Sequence, residues 1–318
     1  MKQQSEPLDL QETLTRLERE PPQPPEHCVL CPRRCGADRT KGEGFCGGGA
    51  APKGARAMLH HWEEPCISGT RGSGAVFFSG CTLRCCFCQN RPISTENFGR
   101  EITTRRLAEI FLELQGQGAH NLNLVTGSHY LPWITAALKA VKPALRIPVV
   151  YNCGGYESLD SLRQLEGLVD IYLPDLKYRD PALAQRYSGA GDYFTVASQA
   201  LPEMFRQVGP VRYGEDGLLE KGLLIRHLVL PGCYKDSIAL LEWVAENLPR
   251  EEILVSVMSQ FTPTEGCRDY PELGRRVSTF EYKRVLRRME ELGIDRGYTQ
   301  ERASAQEEYT PDFSLQGL

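Results

Sequence analysis

Residues 81–88 read CTLRCCFC, four cysteines in eight positions, directly after the apolar run AVFFSG. Cys81, Cys85 and Cys88 form C-x3-C-x2-C, and Cys86 is the extra. On an irregular loop leaving a strand, three thiolates so spaced can turn onto one site. Soft thiolates select zinc or iron–sulfur clusters. Three of them cannot close a tetrahedral zinc site, and no histidine lies nearby to complete one. On a [4Fe–4S] cluster, three thiolates would leave one iron open to a further ligand. That cluster is the favoured reading, with structural zinc or chance spacing as the alternatives.

A second set lies upstream. Cys28, Cys31, Cys35 and Cys46 give C-x2-C-P-x2-C and a later fourth cysteine, with Gly36, Gly42, Gly44 and Gly47 allowing a tight wrap. Four thiolates saturate a metal, so this site would be closed, either structural zinc or an auxiliary iron–sulfur cluster. Residues 27–50 have almost no aliphatic side chains, so the segment is expected to depend on metal for its fold. The same stretch contains GEGFCG, a literal G-x-G-x-x-G. With no strand before it and no helical pattern after it, it is not read as a dinucleotide site.

The elements that must position these loops can be read from periodicity. Residues 1–20 predict a short polar helix around Leu10, Leu14 and Leu17, which PPQPPEH then breaks. From about residue 72, β-type runs alternate with helical ones. The strand candidates are 74–80, 121–127, 147–153, 169–177, 223–230 and 253–261, and helical stripes run through Leu107, Ile110, Phe111 and Leu114 and through Leu240, Leu241 and Val244. A last helix opens on a capping box from Ser278 to Glu281. Six such units imply parallel pairing, as a partial β/α barrel or an open doubly wound sheet, and periodicity does not choose between them. In both, ligands bind at the C-terminal ends of the strands.

Length and charge bound the rest. The 318 residues suit one barrel-sized domain with an appendage. A net charge of −4 gives no electrostatic footprint for nucleic acid, and no Lys/Arg block addresses an anionic membrane. The first twenty residues lack the apolar core of a signal peptide and no run reaches the ~18 apolar residues of a membrane span, so a cytoplasmic protein is expected. In that compartment twelve cysteines point to metal or catalysis rather than disulfides.

The C-x3-C-x-aromatic-C of Cys81, Cys85, Phe87 and Cys88 resembles the signature of the radical S-adenosylmethionine (SAM) superfamily. The wider likeness is to the branch similar to pyruvate formate-lyase activating enzyme, through EEPCISGTRGSGAVFFSGCTLRCCFCQN, DIYLPDLKY, LLIRHLVLPG, VMSQFTP and the terminal YTPDF. The resemblance implies an α/β fold, a partial (β/α)6 TIM-like barrel, with the N-terminal cysteines as an added metal knuckle. The expected organisation is a helix and Pro-rich spacer at 1–26, the knuckle at 27–50, the barrel at 51–300 and a tail at 301–318. It further implies a [4Fe–4S] cluster on Cys81, Cys85 and Cys88 that reduces SAM, giving a 5′-deoxyadenosyl radical that takes hydrogen from a substrate. Cys86 and Phe87 would shield the cluster, although aromatic packing alone would explain a Phe there.

Candidate cofactor residues follow the strand ends. Thr126, Gly127 and Ser128 fall where activating enzymes carry a glycine-rich turn receiving the methionyl amino group. The family's glutamate is absent there, and the alternative is a plain turn with Ser128 as a cap. Asn152 falls where relatives place a polar residue for the ribose, and Cys153 beside it reads as a buried small hydrophobe. Asp175 and Lys177 lie two apart on a strand and share a side; the zwitterionic end of SAM would give both a partner, an internal salt bridge being the alternative. Arg226, on an otherwise apolar inward face, wants a carboxylate, and relatives use an arginine there near the cofactor. His227 reads as an outward packing histidine. Gln260 is a further candidate for the ribose, and His129 is either an acid or base near substrate or, more commonly for such a position, a surface loop histidine.

Three functions compete. The first is a radical SAM oxidoreductase resembling the enzymes that activate glycyl radical enzymes, with a protein substrate and a reductant such as flavodoxin or ferredoxin. The second keeps the cofactor chemistry on a small metabolite or another peptide. The third is a non-enzymatic iron–sulfur electron carrier, disfavoured because a carrier needs no cofactor pocket.

Overall fold

The computed structural model describes residues 9–300 and 311–318. The first described element is α1 (Leu10–Arg19), and residues 27–50 form turns with no helix or strand. An antiparallel pair follows, β1 (Lys53–His60) and β2 (Ser73–Phe78), with the one-turn α2 (Pro65–Ser68) between them. After α3 (Arg91–Ser94) and the edge strand β3 (Arg100–Glu101) come α4 (Thr104–Gly116), β4 (Leu122–Val125), α5 (Leu131–Val141), β5 (Val149–Cys153), α6 (Leu159–Leu165) and β6 (Ile171–Pro174). The chain continues through α7 (Pro181–Ser188), α8 (Tyr193–Val208), β7 (Arg212–Tyr213), β8 (Leu219–Leu228), α9 (Tyr234–Asn247), β9 (Leu254–Met258), α10 (Thr279–Glu291) and β10 (Gly297–Thr299).

The sheet order is β10-β9-β8-β6-β5-β4-β2-β1-β3, with β7 beside β8. From β2 to β10 every neighbour in that path is parallel and the order follows the chain. A doubly wound sheet reverses its strand order at a switch point, and this one does not. The sheet winds one way, its end strands β3 and β10 do not meet, and the fold is an open, partial TIM-like barrel. The six strand candidates correspond to β2, β4, β5, β6, β8 and β9. Four of them, β4, β5, β6 and β9, occupy only part of the apolar run; β4, β6 and β9 end early where the chain leaves the ladder for the site loops, and β5 starts two residues late. Strand β1 escaped the sequence reading, being antiparallel and only half alternating in KGARAMLH.

Alternation builds two layers inside the sheet. Val150, Ile171, Leu173, Leu224 and Leu254 form an apolar cluster with Cys66 and Ile67 of α2, which plugs that end of the open barrel. Two residues further along three of these strands the same face carries Asn152, Asp175 and Arg226. The opposite faces, with Val149, Tyr151, Leu223, Ile225 and Val255, join the large cluster that holds α4, α5 and the later helices. The expected stripe Leu107, Ile110, Phe111 and Leu114 is fully buried, and Thr103 caps α4 by accepting from the Arg106 amide. The capping box on α10 is present in full. No helix among the described residues is long and apolar enough to cross a membrane.

Candidate functional site

The loop 81–88 leaves β2 at the C-terminal end of the sheet. Arg84 adopts φ 52°, which curls the chain, and Cys88 donates its amide to the Cys85 carbonyl at 3.1 Å. Cys81, Cys85 and Cys88 thereby line one cavity of about 210 Å³, together with Thr126, Ser128, Asn152, Asp175, Lys177, Arg226 and Gln260. Residues separated by up to 179 positions in sequence thus meet at one site. Phe87 faces away, edge-on to Tyr178, Tyr187 and Phe261.

The donor set fits an iron–sulfur group. Burial, and then the neighbouring Cys85, push the Cys81 thiol up to about 12, and burial likewise raises Cys88. Thiolates that destabilise one another need a shared cation to ionise together, which is what a metal cluster supplies. Among the described residues no three His, Cys, Asp or Glu side chains close round a point as a single ion requires. A cubane accepts a wider spread, because each thiolate binds a different iron.

Arg226 organises the polar layer. Its Nε donates to Asp175 Oδ1 at 2.9 Å, Nη1 to Glu63 Oε2 at 2.9 Å and Nη2 to Asn152 Oδ1 at 2.7 Å. Lys177 Nζ donates to Asp175 Oδ2 at 2.8 Å, and Asn152 and Asn123 both donate to Glu63 Oε1 at 3.1 Å. Asp175 and Lys177 are therefore paired with each other and with Arg226 without any outside partner, the internal salt bridge that sequence reading offered as the alternative. Burial works against all three charges but is outweighed by their mutual attraction. Asp175 is held below the usual carboxylate range, and Lys177 and Arg226 above their usual ones.

The turn after β4 differs in part from expectation. Thr126 takes φ 59°, a strained conformation for a β-branched residue. Gly127 is not in the cavity wall, and a Cβ there would stand 2.5 Å from Ile134 Cδ1 of α5. Ser128 is no cap: its hydroxyl donates to the buried carboxylate of Glu157 at 2.6 Å. Burial raises that carboxyl to about 7. His129 is 1% exposed, which corrects the surface-loop reading; its Nε2 donates to the Ser79 carbonyl at 2.7 Å. His227 is buried with Nδ1 donating to the Leu176 carbonyl at 2.6 Å, and Cys153 is buried at the cavity wall.

Sequence reading missed Glu63, His60 and Trp62, which line the cavity from the β1–β2 connection. The adjacent acids in EEP were the available signal, but they precede the first periodic strand. Glu63 and Arg226 are 163 residues apart, a pairing that no local pattern encodes. Glu64 and the same connection also line a second cavity of about 630 Å³, which shares Trp62, Glu63, Arg226 and Gln260 with the first.

The N-terminal cysteines pack beside this loop. Cys28, Cys31 and Cys46 are buried and Cys35 is exposed. Cys35 and Cys46 sulfurs stand 3.4 and 3.7 Å from where a Gly44 Cβ would be, and the Cys31 thiol, raised by burial to about 12, feels both Cys46 and Cys28.

The model of the radical SAM superfamily matches residues 75–207. An uncharacterised protein of Methanocaldococcus jannaschii is 27% identical over 281 residues, 85% of this chain and 76% of that protein. Among solved structures, Streptococcus suis SuiB bound to S-adenosylmethionine is 14% identical with a TM-score of 0.49, covering 70% of this chain. The chain spans 48% of the length of SuiB. A domain of pyruvate-formate lyase-activating enzyme from Bacteroides vulgatus is 11% identical, covering 54% of this chain and 92% of that domain, with a TM-score of 0.38.

Proposed function

From the premise that residues 75–207 form a radical SAM domain, we propose that this protein is an enzyme that binds a [4Fe–4S] cluster on Cys81, Cys85 and Cys88 and SAM in the adjoining cavity. When bound, the cluster supplies one electron that cleaves SAM reductively, and the resulting 5′-deoxyadenosyl radical abstracts hydrogen from a substrate. The observation that carries the reading is the convergence on one cavity of three thiols and the Asp175–Lys177–Arg226–Glu63 network.

The chain's own residues divide the work. Lys177 and Asp175 present a cation and a carboxylate side by side, which suits the carboxylate and ammonium of an amino acid. Asn152 and Gln260 offer amides to a ribose, and Thr126 and Ser128 line the wall opposite. Arg226 fixes the orientation of Asp175 and Asn152 by donating to both. The plug at α2 and the Phe87 cluster keep water from two sides of the site, which an unselective radical requires.

The substrate reading that the resemblance favours is hydrogen abstraction from a partner protein, with flavodoxin or ferredoxin as reductant in the cytoplasm. The second cavity, which shares Trp62, Glu63, Arg226 and Gln260 with the first, gives a substrate room beside the cofactor. The test is EPR spectroscopy of anaerobically reconstituted, reduced protein. A four-iron signal that changes on adding SAM and disappears in Cys81→Ala/Cys85→Ala/Cys88→Ala is the expected outcome. A signal indifferent to both the substitutions and SAM would refute the assignment.

A further inference from the structure

Residues 311–318 return to β1 beside the cavity. The short β3 pairs only with Lys53 and Gly54 of β1. Further along β1, the Ala55 carbonyl accepts from the Leu315 amide at 3.1 Å and the Ala57 amide donates to the Gln316 carbonyl at 3.0 Å. The segment thus pairs groups that a bare strand edge would leave open. Arg56 holds it from the outside, donating to the Asp312 carbonyl and to Gln316 Oε1 at 3.2 Å, and Arg106 donates to the Gly317 carbonyl at 3.3 Å.

Within the segment, Pro311, Phe313 and Leu315 are half-buried and alternate with the exposed Asp312, Ser314 and Gln316. Pro311 is itself part of the wall of the 210 Å³ cavity. Phe313 is edge-on to Phe77, with ring centroids 5.7 Å apart, and packs on the cluster of Ala55, Ala75, Phe77, Ile93 and Val125. Phe77, Ile93 and Val125 of that cluster line the cavity as well. One wall is therefore the charged network of Asp175, Lys177 and Arg226, and another is apolar and partly aromatic. The first suits an amino-acid group, and the second suits a flat heterocycle.

We infer that residues 311–318 are a positioning segment for the adenosine part of SAM. Pro311 forms part of the wall against it, while Phe313 braces Phe77 and shuts water out from behind that ring. The inference rests on the proposed binding of SAM in this cavity.

The experiment measures the affinities of SAM and of 5′-deoxyadenosine, which lacks the amino-acid end, by isothermal titration calorimetry of the full chain reconstituted without oxygen. Phe313→Ala removes the ring behind Phe77. Gly317→Val loosens the segment at a point outside the cavity wall, because Gly317 has φ 80° and a Cβ there would lie 2.3 Å from the Ala57 oxygen. Each of these variants should weaken both ligands by the same factor, roughly two- to tenfold for the lost ring contact. Iron content and the EPR signal before SAM is added should stay as in wild type. Lys177→Met, on the charged wall, should weaken SAM and leave 5′-deoxyadenosine unchanged. Gly317→Val leaves every wall residue in place and carries the test if Phe313→Ala loses iron. Wild-type affinity for 5′-deoxyadenosine in either segment variant, a loss confined to SAM, an equal loss of both ligands in Lys177→Met, or loss of iron from both segment variants would overturn the inference and leave SAM binding by the wild type in place. A wild-type protein that binds no SAM would instead remove the reading of the cavity, and the inference with it.

Discussion

Arg226 gives one guanidinium to three different elements, and its side chain is 16% exposed. Removing it leaves the buried Glu63 carboxylate without its cation and Asp175 with Lys177 alone. Arg226→Ala should therefore cost roughly 3–5 kcal/mol of stability, read as a lowered urea midpoint. Lys177→Met is gentler on the fold, because Asp175 keeps Arg226. If Lys177 receives the SAM carboxylate, that variant should lose about ten- to a hundredfold in SAM affinity with a smaller change in stability. Unchanged SAM affinity would return Lys177 to a structural role. The charged pair was legible in the sequence as two opposite charges two apart, although β6 ends at Pro174 and both residues follow it. That they satisfy each other was not, since the third partner comes from another strand. Nor was Glu63, which reaches the site from a connection the periodic reading passed over.

At the scale of elements, β2, β4, β5, β6 and β9 were legible because they are buried on both faces and read as continuous apolar runs, and α4 was legible by its single apolar face. Turns were less so. Gly127 packs close to Ile134 of α5, a contact that depends on how the helix folds back. Thr126 at φ 59° holds strain of about 1–2 kcal/mol. Thr126→Gly should thus leave the fold as stable or more stable in thermal unfolding; a coincident loss of SAM affinity would show that the side chain is used. On α10, Ser278→Ala removes the hydroxyl that accepts from the Glu281 amide and should cost about 1 kcal/mol.

The whole molecule should respond to acid through buried histidines. His60, His129 and His227 are each lowered to about 4, in every case chiefly by burial. The fold binds them neutral, while the unfolded chain takes up their protons near 6.5. Their contribution is thus complete above pH 6.5 and is lost as pH falls towards 4, by up to roughly 3 kcal/mol for each fully shifted group. His227→Asn, which keeps a donor for the Leu176 carbonyl, should make the fall in unfolding midpoint between pH 6.5 and 4 shallower. An unchanged slope would show that His227 is not among the groups responsible.

Chelation should act on a different part of the molecule. Residues 27–50 have no helix or strand, and the segment has few apolar residues to hold it. Stripping metal should open the segment to limited proteolysis before the barrel is cut. The cysteine spacing points to a metal site in this segment, but its docking on the loop, where the Cys81 amide donates to the Cys46 carbonyl, was not legible, because a backbone contact leaves no trace in residue type.

The central claim, a cluster and SAM in one cavity, is tested most directly by product analysis. Reconstituted protein, dithionite and SAM are incubated without oxygen, and 5′-deoxyadenosine and methionine are quantified. The account predicts both products in equal amounts, formed even without substrate and absent from the Cys81→Ala/Cys85→Ala/Cys88→Ala protein. Fully loaded protein that binds SAM and forms neither product, or forms them equally well without the three cysteines, would contradict it.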